Sequence, residues 1–307
     1  MIRTMYHSPV LLDESIESLE INENGVYVDL TFGGGGHSKE ILKRLSKEGK
    51  LIAFDSDKDA EVNRIDDPRF TFLRQNFIYL MQNLNFLKIS GVDGIIADLG
   101  VSSHQFDMKE RGFSYEGNYA LDMRMDRNQE KDAVKILNSF SEKELADLFY
   151  NNGDLTNSRT ISRLICNYRK NNKIINSYHL NESLKPLLYE GYENKFLARI
   201  YQSLRIEVNN EISYLKKLLI QIPSVLKKNG IASIITYHSI EDRLVKRFFK
   251  NGCFKNEPIK DDFGNQKKIF ETKKFITPTQ SELKDNSRSR SAKLRVGKLI
   301  WEIKSLI

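Results

Sequence analysis

Apolar and polar positions along the chain follow two rhythms. Between residues 25 and 100, short apolar runs occur at GVYVDL (25–30), LIAFDSD (51–57), RFTFLRQNF (69–77) and GVDGIIADLG (91–100). They are separated by stretches such as HSKEILKRL (37–45), where Ile41, Leu42 and Leu45 recur at helical spacing. Short apolar runs alternating with helical patterns predict βαβ units and a parallel sheet. The rhythm returns late, with an amphipathic helix over 212–230 closed by Gly230, a strand over 230–239, a helix over 240–250 and a last strand region over 293–303. The stretch between has another character. SEKELADLFYNNG (141–153) opens with a capping box from Ser141 to Glu144, and 160–170, 183–190 and 196–212 carry helical periodicity without a strand between them. The expected organisation is an α/β domain from 1–106 and 211–307, interrupted by a helical insertion over 107–210.

Composition narrows the class. The chain has 307 residues, 29% of them charged and 40% in the hydrophobic set, which suits a globular protein. No apolar run reaches the ~20 residues that cross a bilayer. The N-terminal stretch has no signal-peptide core, so a cytoplasmic protein is expected. Cys166 and Cys253 stand far apart and exclude a disulfide framework or a Cys-rich zinc site. His7, His37, His104, His179 and His238 show no paired ligand spacing, so no metal is expected. The net charge is +7, and residues 267–298 hold ten basic residues against three acids, which accounts for all of it. A basic stretch of this kind suits a phosphate-bearing partner.

The densest chemical signal is Val28-Asp29-Leu30-Thr31-Phe32-Gly33-Gly34-Gly35-Gly36-His37-Ser38. A strand that ends in glycines and enters a helix lets backbone N–H groups approach a ligand, and the helix N-terminus favours its negative group. A P-loop would need Gly-Lys-[Ser/Thr], and no lysine is present. A dinucleotide site wants GxGxxG, but Ser38 occupies the third glycine position. S-adenosylmethionine sites on the same sheet tolerate that substitution and fit best. Asp55 ends the next strand about twenty residues on, where an acid accepts from ribose hydroxyls. Asp98 ends the fourth strand on the same edge, and Phe77 is placed to pack on an adenine.

Read together, HSPVLLDE (7–14), TFGGGGHS (31–38), ADLGVSS (97–103), RGFSY (111–115), LDMRMD (121–126), YQSLRIEVNNE (201–211), TYHSIEDRLVKRF (237–248) and NSRSRSAKLR (286–295) resemble the bacterial 16S rRNA cytosine-N4 methyltransferases, the RsmH (formerly MraW) family. The resemblance implies a class I S-adenosylmethionine-dependent methyltransferase fold, Rossmann-like with a mostly parallel sheet and an inserted helical domain for substrate recognition. It implies S-adenosylmethionine as donor and 16S rRNA in the small ribosomal subunit as partner, with the exocyclic N4 amine of a decoding-region cytidine (1402 in the usual numbering) as acceptor. Family donor contacts carry over to Gly35, Gly36, His37, Asp55, Phe77, Asp98 and Gln105. Departures are Gly34, where many members carry another side chain, GDLTNSRT (153–160), and Tyr237, where phenylalanine is common.

The acceptor amine shares its lone pair with the ring and must be oriented. Asp98, Ser102, Ser103, His238 and Glu241 are the candidates to orient it and take its proton. Tyr115, Tyr119 or Tyr201 are candidates to stack on an extruded base. Arg124, Arg205, Arg288, Arg290, Lys293 and Arg295 are candidates for phosphate contacts, which would make catalysis salt-sensitive. A homodimer is compatible with the reading. The competing readings are an NAD-dependent dehydrogenase on the same sheet, a non-catalytic ribosome-assembly factor, and a methyltransferase acting on DNA or protein.

Overall fold

The computed structural model describes residues 9–100, 108–260 and 263–301. The chain divides after Gly100 and after Ile212 into two compact units.

In the first unit, seven strands among the described residues form one sheet: β1 (Val26–Asp29), β2 (Lys50–Phe54), β3 (Phe70–Leu73), β4 (Val92–Asp98), β5 (Leu226–Thr236), β6 (Phe270–Thr272) and β7 (Lys293–Leu299). Their order is β3-β2-β1-β4-β5-β7-β6. β1 to β5 run parallel, and β7 pairs antiparallel with both β5 and β6. This is the class I S-adenosylmethionine-dependent methyltransferase arrangement. Both faces of the sheet are covered, which is why its strands read as continuous apolar runs. Val28, Ile52, Phe54, Ile95 and Ile234 lie in one core with the helices Leu80–Phe86, Glu211–Val225 and Ser239–Asn251. Their strand neighbours Tyr27, Leu51, Ala53, Ile96 and Ile235 lie in another core with the helices Leu12–Ser18 and Gly36–Arg44.

Several details depart from the sequence pattern, among them the helix expected over 183–190, which is Ser177–Leu184 followed by a 3-10 turn Lys185–Leu187. The helix expected over 212–230 ends at Val225, and β5 begins at Leu226, which pairs with Val92. The Lys-Lys-Asn-Gly stretch is a register shift within the strand, with Asn229 at φ 65°, rather than the close of a helix. β6 was not expected. It is three residues long and buries Phe270 alone, so it leaves no alternation to read. Helix Leu12–Ser18 was not expected either, being seven residues long.

The second unit packs the helices Ala133–Ser139, Glu142–Gly153, Ser158–Tyr168, Ser177–Leu184 and Glu193–Val208. Its core includes Leu137, Phe149, Ile165, Leu180, Ile200 and Leu204, all fully buried. The capping box forms as expected. Ser141 Oγ accepts from the Glu144 N–H at 3.2 Å, while Glu144 Oε2 accepts from the Ser141 N–H at 2.7 Å. The helix runs through Gly153 and closes on Asp154 in the left-handed region at φ 50°. Gly153 is required inside it because a Cβ there would overlap Ser203 of the helix Glu193–Val208.

Candidate active site

The carboxyl edge of the sheet gathers three aspartates at the ends of β1, β2 and β4. Asp29 closes β1 and is 1% exposed. It ties the strand to the following helix by accepting from the Thr31 N–H at 3.1 Å and from Ser38 Oγ at 2.7 Å. Asp55 follows β2 and braces the glycine loop, accepting from the Gly33 N–H at 2.8 Å through Oδ2 and from the Asp57 N–H at 2.8 Å through Oδ1. Asp98 closes β4. Its Oδ1 accepts from the Tyr237 hydroxyl at 2.7 Å, and its own N–H donates to Thr31 Oγ1 at 2.6 Å. Thr31 thereby links the ends of β1 and β4.

These acids hold their protons unusually well. Burial pushes Asp29 and Asp55 up to about 6, against the pull of the hydrogen bonds that each accepts. Burial also pushes Asp98 up to about 7; the Tyr237 hydrogen bond lowers it, and the charges of Asp29, Glu241 and Glu282 add to the rise. Asp55 and Asp98 keep a partly exposed face at the strand ends, so their surroundings are low in dielectric without being closed. Among the described residues no lysine or arginine forms an ion pair with any of the three. Carboxylates this enclosed are stabilised in their charged form by a cation or by donors.

The glycine loop bends sharply to meet the helix. Gly33 and Gly35 have φ of 49° and 73°, and Gly35 is the N-cap of the helix Gly36–Arg44. The N-terminal segment packs against Gly36 and the His37 side chain. A Cβ on Gly36 would overlap the Pro9 ring, and His37 is 5% exposed with Nε2 3.3 Å from the Val10 carbonyl. Burial lowers His37 to about 4, so it is a neutral side chain anchoring the N-terminal segment. Phe77 opens the 3-10 turn Phe77–Tyr79 after β3 and packs half-buried against the core on that side of the sheet.

His238 and Glu241 sit at the start of the helix Ser239–Asn251 and are used there. His238 is its N-cap, with Nδ1 accepting from the Glu241 N–H at 3.4 Å. Glu241 Oε2 accepts from the Tyr237 N–H at 3.2 Å, and its Oε1 lies 3.2 Å from His238 Nε2 without the alignment of a hydrogen bond. A neutral histidine that accepts through Nδ1 carries its proton on Nε2, so neither nitrogen offers a free lone pair. In this structure His238 serves as the helix cap. Ser102, Ser103 and Gln105 lie outside the described residues. Asp29 and Tyr237 are site residues that motif reading passed over.

The expected phosphate contacts divide. Arg295 Nε donates to Asp242 Oδ1 at 2.6 Å, Lys293 Nζ lies 3.4 Å from Oδ2, and both cations flank the Phe275 ring. Burial would raise Asp242, but these two cations hold it below its ordinary value. Arg295 is therefore a strut of the sheet, with its side chain 13% exposed. Arg288 and Arg290 are exposed on the 3-10 turn Ser287–Ser291. In the second unit, Arg124 donates to the Asp122 carboxylate, to the Arg127 carbonyl and to the Gln129 carbonyl, closing a loop. Arg205 forms a two-pronged pair with Glu211 at 2.8 and 2.9 Å. Tyr201 is a core residue, 3% exposed, with its hydroxyl donating to Asn181 Oδ1 at 3.1 Å and its ring edge-on to Tyr115. Tyr119 is half-buried, with Lys109 Nζ 5.9 Å from its ring centre.

The family model described as the MraW methylase family matches residues 4–300. A protein of Christiangramia forsetii named ribosomal RNA small subunit methyltransferase H is 52% identical over 299 residues, 97% of this chain and 99% of its own. Proteins of the same name from Flavobacterium johnsoniae and Parabacteroides distasonis are each 49% identical. They cover 98% and 96% of this chain and 100% and 98% of their own lengths.

Proposed function

The chain belongs to the MraW methylase family and is an S-adenosylmethionine-dependent ribosomal RNA methyltransferase, and we propose that its acceptor is the exocyclic N4 amine of a cytidine in 16S rRNA, position 1402 in the usual numbering. The observation that carries the assignment of the site is the set Asp29, Asp55 and Asp98, whose proton affinities are raised and which lack a cation from this chain among the described residues. A cationic ligand fits such an edge. No helix among the described residues is long and apolar enough to cross a membrane. With 16S rRNA as substrate, the work belongs in the cytoplasm.

When bound, S-adenosylmethionine supplies a methyl group on a positively charged sulfur. The residues that would hold it are Asp55, Asp98, Phe77 and the backbone at Gly33 to Gly35. Each Asp55 oxygen accepts one backbone hydrogen bond, which leaves lone pairs for ribose hydroxyls. Tyr237 occupies Asp98 Oδ1 and leaves Oδ2 for the site, where it orients the acceptor amine and takes its proton. Positioning of the two reactants supplies the larger share, about 7–11 kcal/mol, against a factor of ~10²–10⁴ for proton removal.

The deciding experiment incubates the protein with unmethylated small subunits and labelled donor, then locates the modified base. Label on the N4 of that cytidine is expected. No incorporation would favour the assembly factor, and label in DNA, in protein or on another nucleotide would overturn the assignment.

The raised acids also make donor binding depend on pH. Below about 6 the carboxylates carry protons and the field that favours a cation is lost. Affinity for the donor should therefore rise between pH 5.5 and 8, with protons released on binding. Calorimetry in two buffers of different ionisation enthalpy measures that release. The neutral-sulfur product should show a weaker dependence, and identical profiles for donor and product would count against the charge argument.

A further inference from the structure

The second unit carries a basic, aromatic surface that none of the sequence motifs includes. Residues 155–181 contain five basic residues, Arg159, Arg163, Arg169, Lys170 and Lys173, and no acid. Two of these are already committed. Arg169 donates to the Leu137 and Phe140 carbonyls, and Arg163 lies 3.9 Å from Glu142 of the neighbouring helix. Arg159, Lys170 and Lys173 are exposed. Glu182, whose charge acts on Tyr168, lies 3.5 Å from Lys185.

Beside the Lys170–Lys173 turn stands a row of three rings. The His179 ring is 6.3 Å from that of Tyr168 and 5.9 Å from that of Tyr178. Tyr178 is 54% exposed and the adjoining Ile175 is 48% exposed. The row is held in place. Asn176 Oδ1 caps the helix by accepting from the His179 N–H at 3.0 Å, and His179 Nδ1 accepts from the Ile175 N–H at 3.5 Å. That contact puts the ring proton of a neutral His179 on Nε2. Tyr178 offers an exposed face beside the half-buried Tyr168 and His179, and the exposed Lys170 and Lys173 lie close in sequence, which matches what unpaired RNA needs: a flat face for a base and positive charge for phosphates.

We propose that the Tyr168–His179–Tyr178 row, with Lys170 and Lys173, is a docking surface for an unpaired segment of the ribosomal RNA substrate, separate from the site that takes the target base. The inference rests on the rRNA-methyltransferase reading above. It moves the RNA contacts of this unit away from Arg124 and Arg205, which are tied into ion pairs.

The test compares wild type with Tyr178→Ala, Tyr178→Trp and Lys170→Glu/Lys173→Glu. Each is measured for binding to unmethylated small subunits by filter retention and for labelled-methyl transfer to the same particles. Tyr178→Ala should weaken binding and raise the KM for the particle on the order of tenfold, within the range of one lost base stack, with kcat and donor KM unchanged. Tyr178→Trp, which keeps a flat face, should remain near wild type. The lysine pair should reduce the slope of log affinity against log salt by about one per lost phosphate contact. Wild-type binding and salt slope in both Tyr178→Ala and the lysine pair would overturn the proposal. So would an equal loss in Tyr189→Ala, a 66% exposed tyrosine outside the row. Binding is read without catalysis, so a wild type that binds particles but transfers no methyl would count against the enzymatic reading and leave the surface judged by its own variants.

Discussion

Asp98→Asn is expected to lower kcat/KM for the methyl donor by two to three orders of magnitude, which is what loss of one partner in an enclosed charge pair costs, about 2–5 kcal/mol. The substitution keeps the shape of the side chain and an oxygen for the Tyr237 hydroxyl, so the loss reports charge rather than packing. Stability should move the other way. The proton affinity of Asp98 is raised in the folded chain to about 7 from an ordinary value of 3.8. Its favourable contribution is therefore complete below pH ~4 and is lost as pH rises through about 7. Ligand-free Asp98→Asn should thus melt higher than wild type at pH 8, with little difference at pH 4. Tyr237→Phe separates the hydroxyl from the carboxylate. The hydroxyl favours the ionised form of Asp98, so its loss should move the pH midpoint of turnover upward, with activity recovered under more alkaline conditions. A kcat/KM within threefold of wild type in Asp98→Asn would remove Asp98 from the site.

The raised proton affinity of Asp98 could not be read from ADLGVSS. It comes from burial at the end of β4, and Tyr237, which moderates it, lies 139 positions away in the chain and meets Asp98 only because β4 and β5 are neighbours in the sheet. The parallel strands were legible because burial on both faces writes continuous apolar runs, and the glycine loop was legible because few other residues accept its backbone angles. Asp29 was hidden for a different reason. It reads as the polar end of an apolar run, and its partner Ser38 lies across the loop. Gly36 and His37 show a constraint of another kind, since a Cβ on Gly36 would overlap Pro9 and the His37 ring packs at Val10, so packing also restricts their identities. The charge of residues 267–298 was counted correctly, but a count does not say that Arg295 is spent on Asp242. Nor could it show that 155–181, carrying less charge, sets Lys170 and Lys173 near the exposed Tyr178.

Arg205 is a cation whose sequence context suggested RNA and which the structure pairs with Glu211. It lies near the end of the helix Glu193–Val208, and Glu211 opens the next helix after a turn in which Asn210 takes φ 52°. Asn209 fixes the same junction by donating to the Met123 carbonyl at 2.7 Å and accepting from the Met125 N–H at 2.7 Å. The Arg205 and Glu211 side chains are 13% and 10% exposed, so the pair is largely desolvated. Removing one partner strands the other. Arg205→Ala should therefore destabilise the second unit by about 3–5 kcal/mol, while the double change Arg205→Met/Glu211→Leu should recover part of that loss, because it does not leave Glu211 buried without its partner. In a melting experiment the single variant should fall by roughly 6 °C or more. Below its transition, RNA affinity and the salt slope should match wild type. An unchanged melting temperature with a shallower salt slope would reverse the assignment and return Arg205 to the phosphates.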